Sequence, residues 1–69
     1  MKDNKFYSAL KSRLEAKRET GIATLELYLS NPSAVADHSA LVEEMESLLC
    51  GIAEAEDALD KLEMHFGDK

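Results

Sequence analysis

The sequence predicts an all-α fold, an antiparallel helical hairpin that dimerises into a four-helix bundle. Three observations predict it. Apolar residues recur every three or four positions in two long segments, a single proline separates those segments, and the two apolar stripes are broader than one hairpin needs. At 69 residues the chain is one domain, 1–69, with a helix over about 4–30, a loop over about 31–38 and a helix over about 39–66. A chain this short has no room for separate substrate and cofactor lobes. Its 31 hydrophobic residues include nine alanines, so 22 larger side chains must build the core. That is few against the entropy of ordering the chain, and small domains of this kind usually lean on disulfides, a metal or a second subunit.

In the first segment Phe6, Leu10, Leu14, Gly21, Leu25 and Tyr28 follow the helical spacing, Ile22 and Leu29 widen the stripe, and Lys17 interrupts it. Ser30-Asn31-Pro32-Ser33 then breaks the pattern, and residues 34–39 have no clear period. The second segment is more regular. Leu41, Met45, Leu48, Ile52, Ala55, Leu59, Leu62 and Phe66 alternate steps of four and three, a heptad seam that Val42 and Leu49 broaden at its start. Asp37 or Ser39 can cap this helix, with Glu43 and Glu44 in its first turn, where the helix dipole favours anions. If Asn31-Pro32 is the cap instead, the helix starts as early as 33. Gly67 closes it.

Helices joined by so short a loop pack antiparallel. Pairing about residue 35 sets Leu25 beside Met45, Gly21 near Leu48, Leu14 near Ala55 and Leu10 near Leu59. Gly21 lies on the stripe, where a missing side chain permits close helix approach, and Gly51 flanks the second seam. The association interface expected from this phasing comprises Leu10, Leu14, Gly21, Leu25, Met45, Leu48, Ile52, Leu59, Leu62 and Phe66. The partner is a second copy, with a bundle built on a different protein as the alternative.

Charge is divided unevenly. Residues 1–32 hold six basic and four acidic residues, whereas residues 33–69 hold two basic and ten acidic, for a net charge of −6. The halves attract when folded side by side, with Lys11, Arg13, Lys17 and Arg18 level with Glu54, Glu56, Asp57, Asp60 and Glu63. The acidic half opposes binding to duplex nucleic acid, which depends on cations replacing counterions. Those four cations remain a basic contact face for a nucleic-acid reading. No run approaches the ~18 apolar residues of a membrane span, and no signal-peptide core follows the charged start. A single cysteine, Cys50, cannot form an internal disulfide and predicts a reducing, cytoplasmic setting.

The residues suited to chemistry are scattered. His38 and His65 stand over ~35 Å apart along a helix, and neither has a glutamate three positions before it, as a bundle di-iron site requires. Asp37 beside His38 reads as a capping pair. Cys50 has no His or basic residue within a helical turn to activate it as a nucleophile. There is no Gly-rich phosphate loop, Cys-x-x-Cys or Ser-centred elbow. The expectation is a non-enzyme without cofactor or metal.

Asn31-Pro32-Ser33-Ala34-Val35-Ala36-Asp37-His38-Ser39, then Leu41-Val42-Glu43-Glu44-Met45, and later Ala53-Glu54-Ala55-Glu56-Asp57-Ala58-Leu59-Asp60-Lys61-Leu62, resemble small uncharacterised proteins of myovirus-type tailed phages. The resemblance covers about residues 25–66, with Ala34 and Ala36 where that group commonly has Gly and Ser39 where it has Pro. It implies an accessory or virion-associated protein in the cytoplasm of an infected cell or in the virion, with an unknown host or phage protein as the alternative partner. In length and in ending Phe66-Gly67-Asp68 the chain is also similar to dimeric hairpins of the Rop type, which implies RNA binding through the first helices. Its size and hairpin form look like small co-chaperones of type III secretion needles, which implies a subunit folded only with its partner.

Overall fold

A computed structural model describes residues 1–31 and 40–67. The described residues form two α-helices, α1 (Lys5–Ser30) and α2 (Leu41–Phe66), packed against each other in a hairpin, with no strand among them. Asp37, His38 and Ser39, and with them the proposed caps and the capping pair, lie outside the described residues. Asn31 does not open the second helix. It closes α1, its N–H donating to the Leu27 carbonyl at 2.9 Å, and α2 begins at Leu41.

Each helix end is built from local polar chemistry. Asn4 caps α1, its side-chain oxygen accepting from the N–H groups of Phe6 at 2.8 Å and Tyr7 at 3.3 Å. Ala40 precedes α2 and has no side-chain oxygen to offer, so the start of α2 leans on Glu43 and Glu44 in its first turn. At the far end the Gly67 N–H donates to the Glu63 carbonyl at 2.9 Å with φ of −65°. Glycine is needed there for space and not for a left-handed turn, because a Cβ would lie 2.6 Å from the Glu63 carboxylate.

Along α2 the heptad seam is the face turned to α1. Ile52 and Ala55 are buried, and Leu41, Met45, Leu48, Leu59 and Leu62 are half-buried. Phe66, expected to continue this seam, is 47% exposed at the end of the helix. Along α1 the expected stripe is correct from Leu14 to Tyr28 and misphased before it. Tyr7 is buried, whereas Phe6 is 86% exposed and Leu10 is 47% exposed. The reason is rotational. Every step of four residues turns about 40° beyond a full circle, so two such steps back from Leu14 carry Phe6 about 80° off the seam. A step of seven to Tyr7 drifts only about 20°. The seam of α1 is therefore Tyr7, Leu14, Arg18, Gly21, Leu25 and Tyr28, a heptad pattern with one cation in it and the exposed Lys11 at its edge.

The helices pack closely at Gly21. A Cβ there would sit 2.8 Å from Ile52 Cγ1, inside van der Waals contact, so the isoleucine occupies the space that the glycine leaves. Helix propensity alone favours alanine over glycine by about 1 kcal/mol, but overpacking costs about 1–3 kcal/mol. Gly21→Ala is expected to lower the thermal midpoint and Gly21→Leu to lower it far more, while equal behaviour of the two would remove the close approach. Ile52→Ala should cost about 2–5 kcal/mol in chemical denaturation. Asp57→Ala, on the exposed face, should stay within about 0.5 kcal/mol of the parent.

Candidate functional site

Two hydrogen bonds join the helices near their opposite ends. The Tyr7 hydroxyl donates to Glu63 Oε2 at 3.0 Å, and the Tyr28 hydroxyl donates to Glu44 Oε2 at 3.1 Å. Tyr7 and Tyr28 share one heptad position with Leu14 and Gly21, so the seam delivers both phenols to the same partner helix. Lys2 reinforces the first bond, its ammonium lying 3.3 Å from Glu63 Oε1. The hydrogen bond from Tyr7, followed by that from Lys2, holds the Glu63 carboxyl below its ordinary value, and the charges of Lys2 and Lys11 act in the same direction. At the other end, the hydrogen bond to Glu44 raises the Tyr28 phenol above its usual value, with desolvation and the Glu44 charge adding to the effect.

Around the seam the surface divides into a groove and a cleft. The groove, about 740 Å³, runs between α1 and α2 over Leu10, Leu14, Gly21, Leu48 and Ile52, with Arg13 and Lys17 at its α1 rim and Ser47 and Gly51 on α2. A Cβ at Gly51 would meet nothing within 4 Å, so this glycine opens the groove without serving the packing of its own chain. The cleft, about 320 Å³, is lined by Lys2, Tyr7, Lys11, Glu15, Arg18, Leu59, Asp60, Leu62 and Glu63. It is a charged surface of mixed sign.

This division rearranges the residues expected to act. Leu10, Leu14, Gly21, Leu48 and Ile52 come together in the groove, and Leu59 and Leu62 lie toward the cleft. Leu25 and Met45 are half-buried and Phe66 stands at the helix end. The four cations do not make one face. Arg13 and Lys17 border the groove, while Lys11 and Arg18 border the cleft. The charge complementarity between the halves also yields fewer contacts than expected. Arg18 pairs with its neighbour Glu19 at 3.0 Å and Lys61 with Asp57 at 3.7 Å, both within one helix. Lys11, Arg13 and Lys17 make no ion pair among the described residues. Four-carbon and guanidinium side chains reach water more cheaply than they reach a carboxylate across the seam.

Cys50 is exposed, and His65 is exposed with its ring centroid 6.2 Å from that of Phe66. No group of three or more potential metal ligands occurs among the described residues. Also among them, no helix is long and apolar enough to cross a membrane. Sequence reasoning missed both tyrosine–glutamate bonds and the Asn4 cap. The signal for the first pair was present in the seven-residue spacing from Tyr7 to Tyr28 through Leu14 and Gly21.

The two ends of the hairpin should respond to opposite extremes of pH. A depressed carboxyl pKa contributes stability above the ordinary carboxylate range that is lost as pH falls through the lowered folded value. A raised phenol pKa contributes stability below the ordinary phenol value that is lost as pH rises through the raised one. An NMR titration of the Glu63 side chain is expected to show a midpoint below that of a free glutamate, moved upward by Tyr7→Phe. In a Tyr7→Phe chain the tyrosinate absorbance should report Tyr28 titrating late, and Glu44→Gln should bring it earlier. No family model, curated protein or solved structure matches the chain.

Proposed function

We propose that the chain is a non-catalytic protein–protein interaction module that self-associates through an apolar face of its hairpin and presents an acidic exterior. The observation that supports this reading is the size of the core. Only Tyr7, Ile52 and Ala55 form the buried apolar core among the described residues, while Phe6, Leu29, Val42, Leu49 and Met64 are more than half exposed. Apolar surface of this extent is the usual mark of an interaction site.

Areas lead to the same reading. The chain exposes 5167 Å², whereas a compact monomer of its mass exposes about 4300 Å². The surplus of about 900 Å² is close to the ~800 Å² that each partner buries in a stable complex. Its radius of gyration of 15.2 Å likewise exceeds the ~11 Å of a compact domain of equal length. The accessory or virion-associated role implied by the sequence resemblance is of the same non-catalytic kind. An acidic exterior suits docking on basic surfaces, with an association rate that falls as salt rises.

Nucleic-acid binding through the first helix is the competing reading, and the split of its four cations between the groove and the cleft weakens it. Sedimentation equilibrium at micromolar concentration is expected to give twice the 7.6 kDa chain mass. A folded monomer alone would remove self-association. Paired and single-stranded RNA at low salt should leave the sedimentation unchanged.

A further inference from the structure

We infer that the second copy docks on the groove with the two-fold axis running along the hairpin, so that α1 of each subunit lies on α2 of the other and both loops sit at one end of the bundle. This rests on the self-association proposed above and adds the partner's orientation. The groove is the face to cover, because its floor is apolar, Leu14, Leu48 and Ile52 around Gly21, and Gly51 leaves it open. The other side of the seam carries the charged cleft, and the exposed Leu29, Val42 and Leu49 line neither surface and stay outside this interface.

An isologous dimer can bury this face in two ways. A two-fold across the hairpin stacks like helices on each other and puts the loops at opposite ends. A two-fold along the hairpin stacks unlike helices. Charge separates the two. Helix α1 carries five basic and three acidic residues, and α2 carries one basic and eight acidic. The decisive pair sits at mid-height. Lys17 is at the middle of α1 on the groove rim, and Glu54 is at the middle of α2, three residues on from Gly51 and so on the same flank. With the axis across, Lys17 meets the partner's Lys17 and Glu54 meets the partner's Glu54. With the axis along, every residue keeps its own height. The register set within one chain by Tyr7 with Glu63, Gly21 with Ile52 and Tyr28 with Glu44 then also holds between chains. Lys17 falls level with the partner's Glu54 and Thr20 with the partner's Gly51, twice by symmetry. Juxtaposed like charges select against the first arrangement.

The test is a distance measured between two copies of the full chain. Leu29 is 65% exposed near the loop end, and Leu29→Cys in a Cys50→Ser background accepts a nitroxide label outside the groove. Pulsed electron resonance is expected to give a separation of about 30 Å or less, the width of a bundle. Loops at opposite ends would place the labels beyond ~35 Å, since Leu29 stands about 17 Å from the middle of its helix at 1.5 Å per residue. In low salt Lys17→Glu should weaken dimerisation about tenfold, by turning two attractions into repulsions, and adding Glu54→Lys should restore it. A distance beyond ~35 Å, or a Lys17→Glu chain that dimerises as tightly as its parent, overturns this orientation and leaves self-association standing. A labelled chain and a parent chain that are both folded monomers overturn the two together.

Discussion

The contact between Gly21 and Ile52 is the constraint on which the hairpin depends. With no side chain at position 21, α2 approaches α1 until the isoleucine fills the gap, and the distance between the axes at that point sets what every other pair can reach. Close axes bring the phenols of Tyr7 and Tyr28 within hydrogen-bonding distance of Glu63 and Glu44. The three contacts define one register. A slip of one residue would bring another side chain to the gap and would carry both phenols off their carboxylates. Apolar packing draws the helices together without much direction, whereas the glycine gap and the two directional bonds decide alignment.

The same constraint explains the thinness of the core. Two helices have a single line of contact, and a seam that places Arg18 among its positions spends part of that line on a side chain whose head stays in water. Large apolar groups displaced from the line, Phe6, Leu29, Val42 and Leu49 among them, end up on the flanks. Each helix thus has more apolar surface than the other can cover. The folded hairpin is intelligible as a unit whose outer packing is incomplete on its own.

The second helix was legible because its periodicity is carried by residues of one kind. From Leu41 to Leu62 every seam position is Leu, Met, Ile or Ala, and each of them is buried or half-buried. The first helix was legible only from Leu14 onward. Toward its start the seam uses Tyr7, whose polar end suggests the surface, while Phe6 and Leu10 offer an apolar line by fours that turns from the seam toward the flank. Hydrophobicity alone cannot recognise a phenol whose ring packs inward and whose hydroxyl finds a carboxylate. Of the groove, Leu10, Leu14, Gly21, Leu48 and Ile52 could be read from spacing. The separation of Arg13 and Lys17 from Lys11 and Arg18 could not, because it depends on where the seam runs between them.

Gly51 carries a consequence of a different order. In most small domains a residue that shapes a binding surface also supports the fold, and altering one property disturbs the other. Here the backbone at position 51 is helical and the space above it is empty of the chain's own atoms. A side chain introduced there would strengthen the helix that bears it while changing the contour presented to whatever covers the groove. In the proposed dimer, folding and recognition are separable at this residue, so specificity can change there by single substitutions without passing through an unstable intermediate.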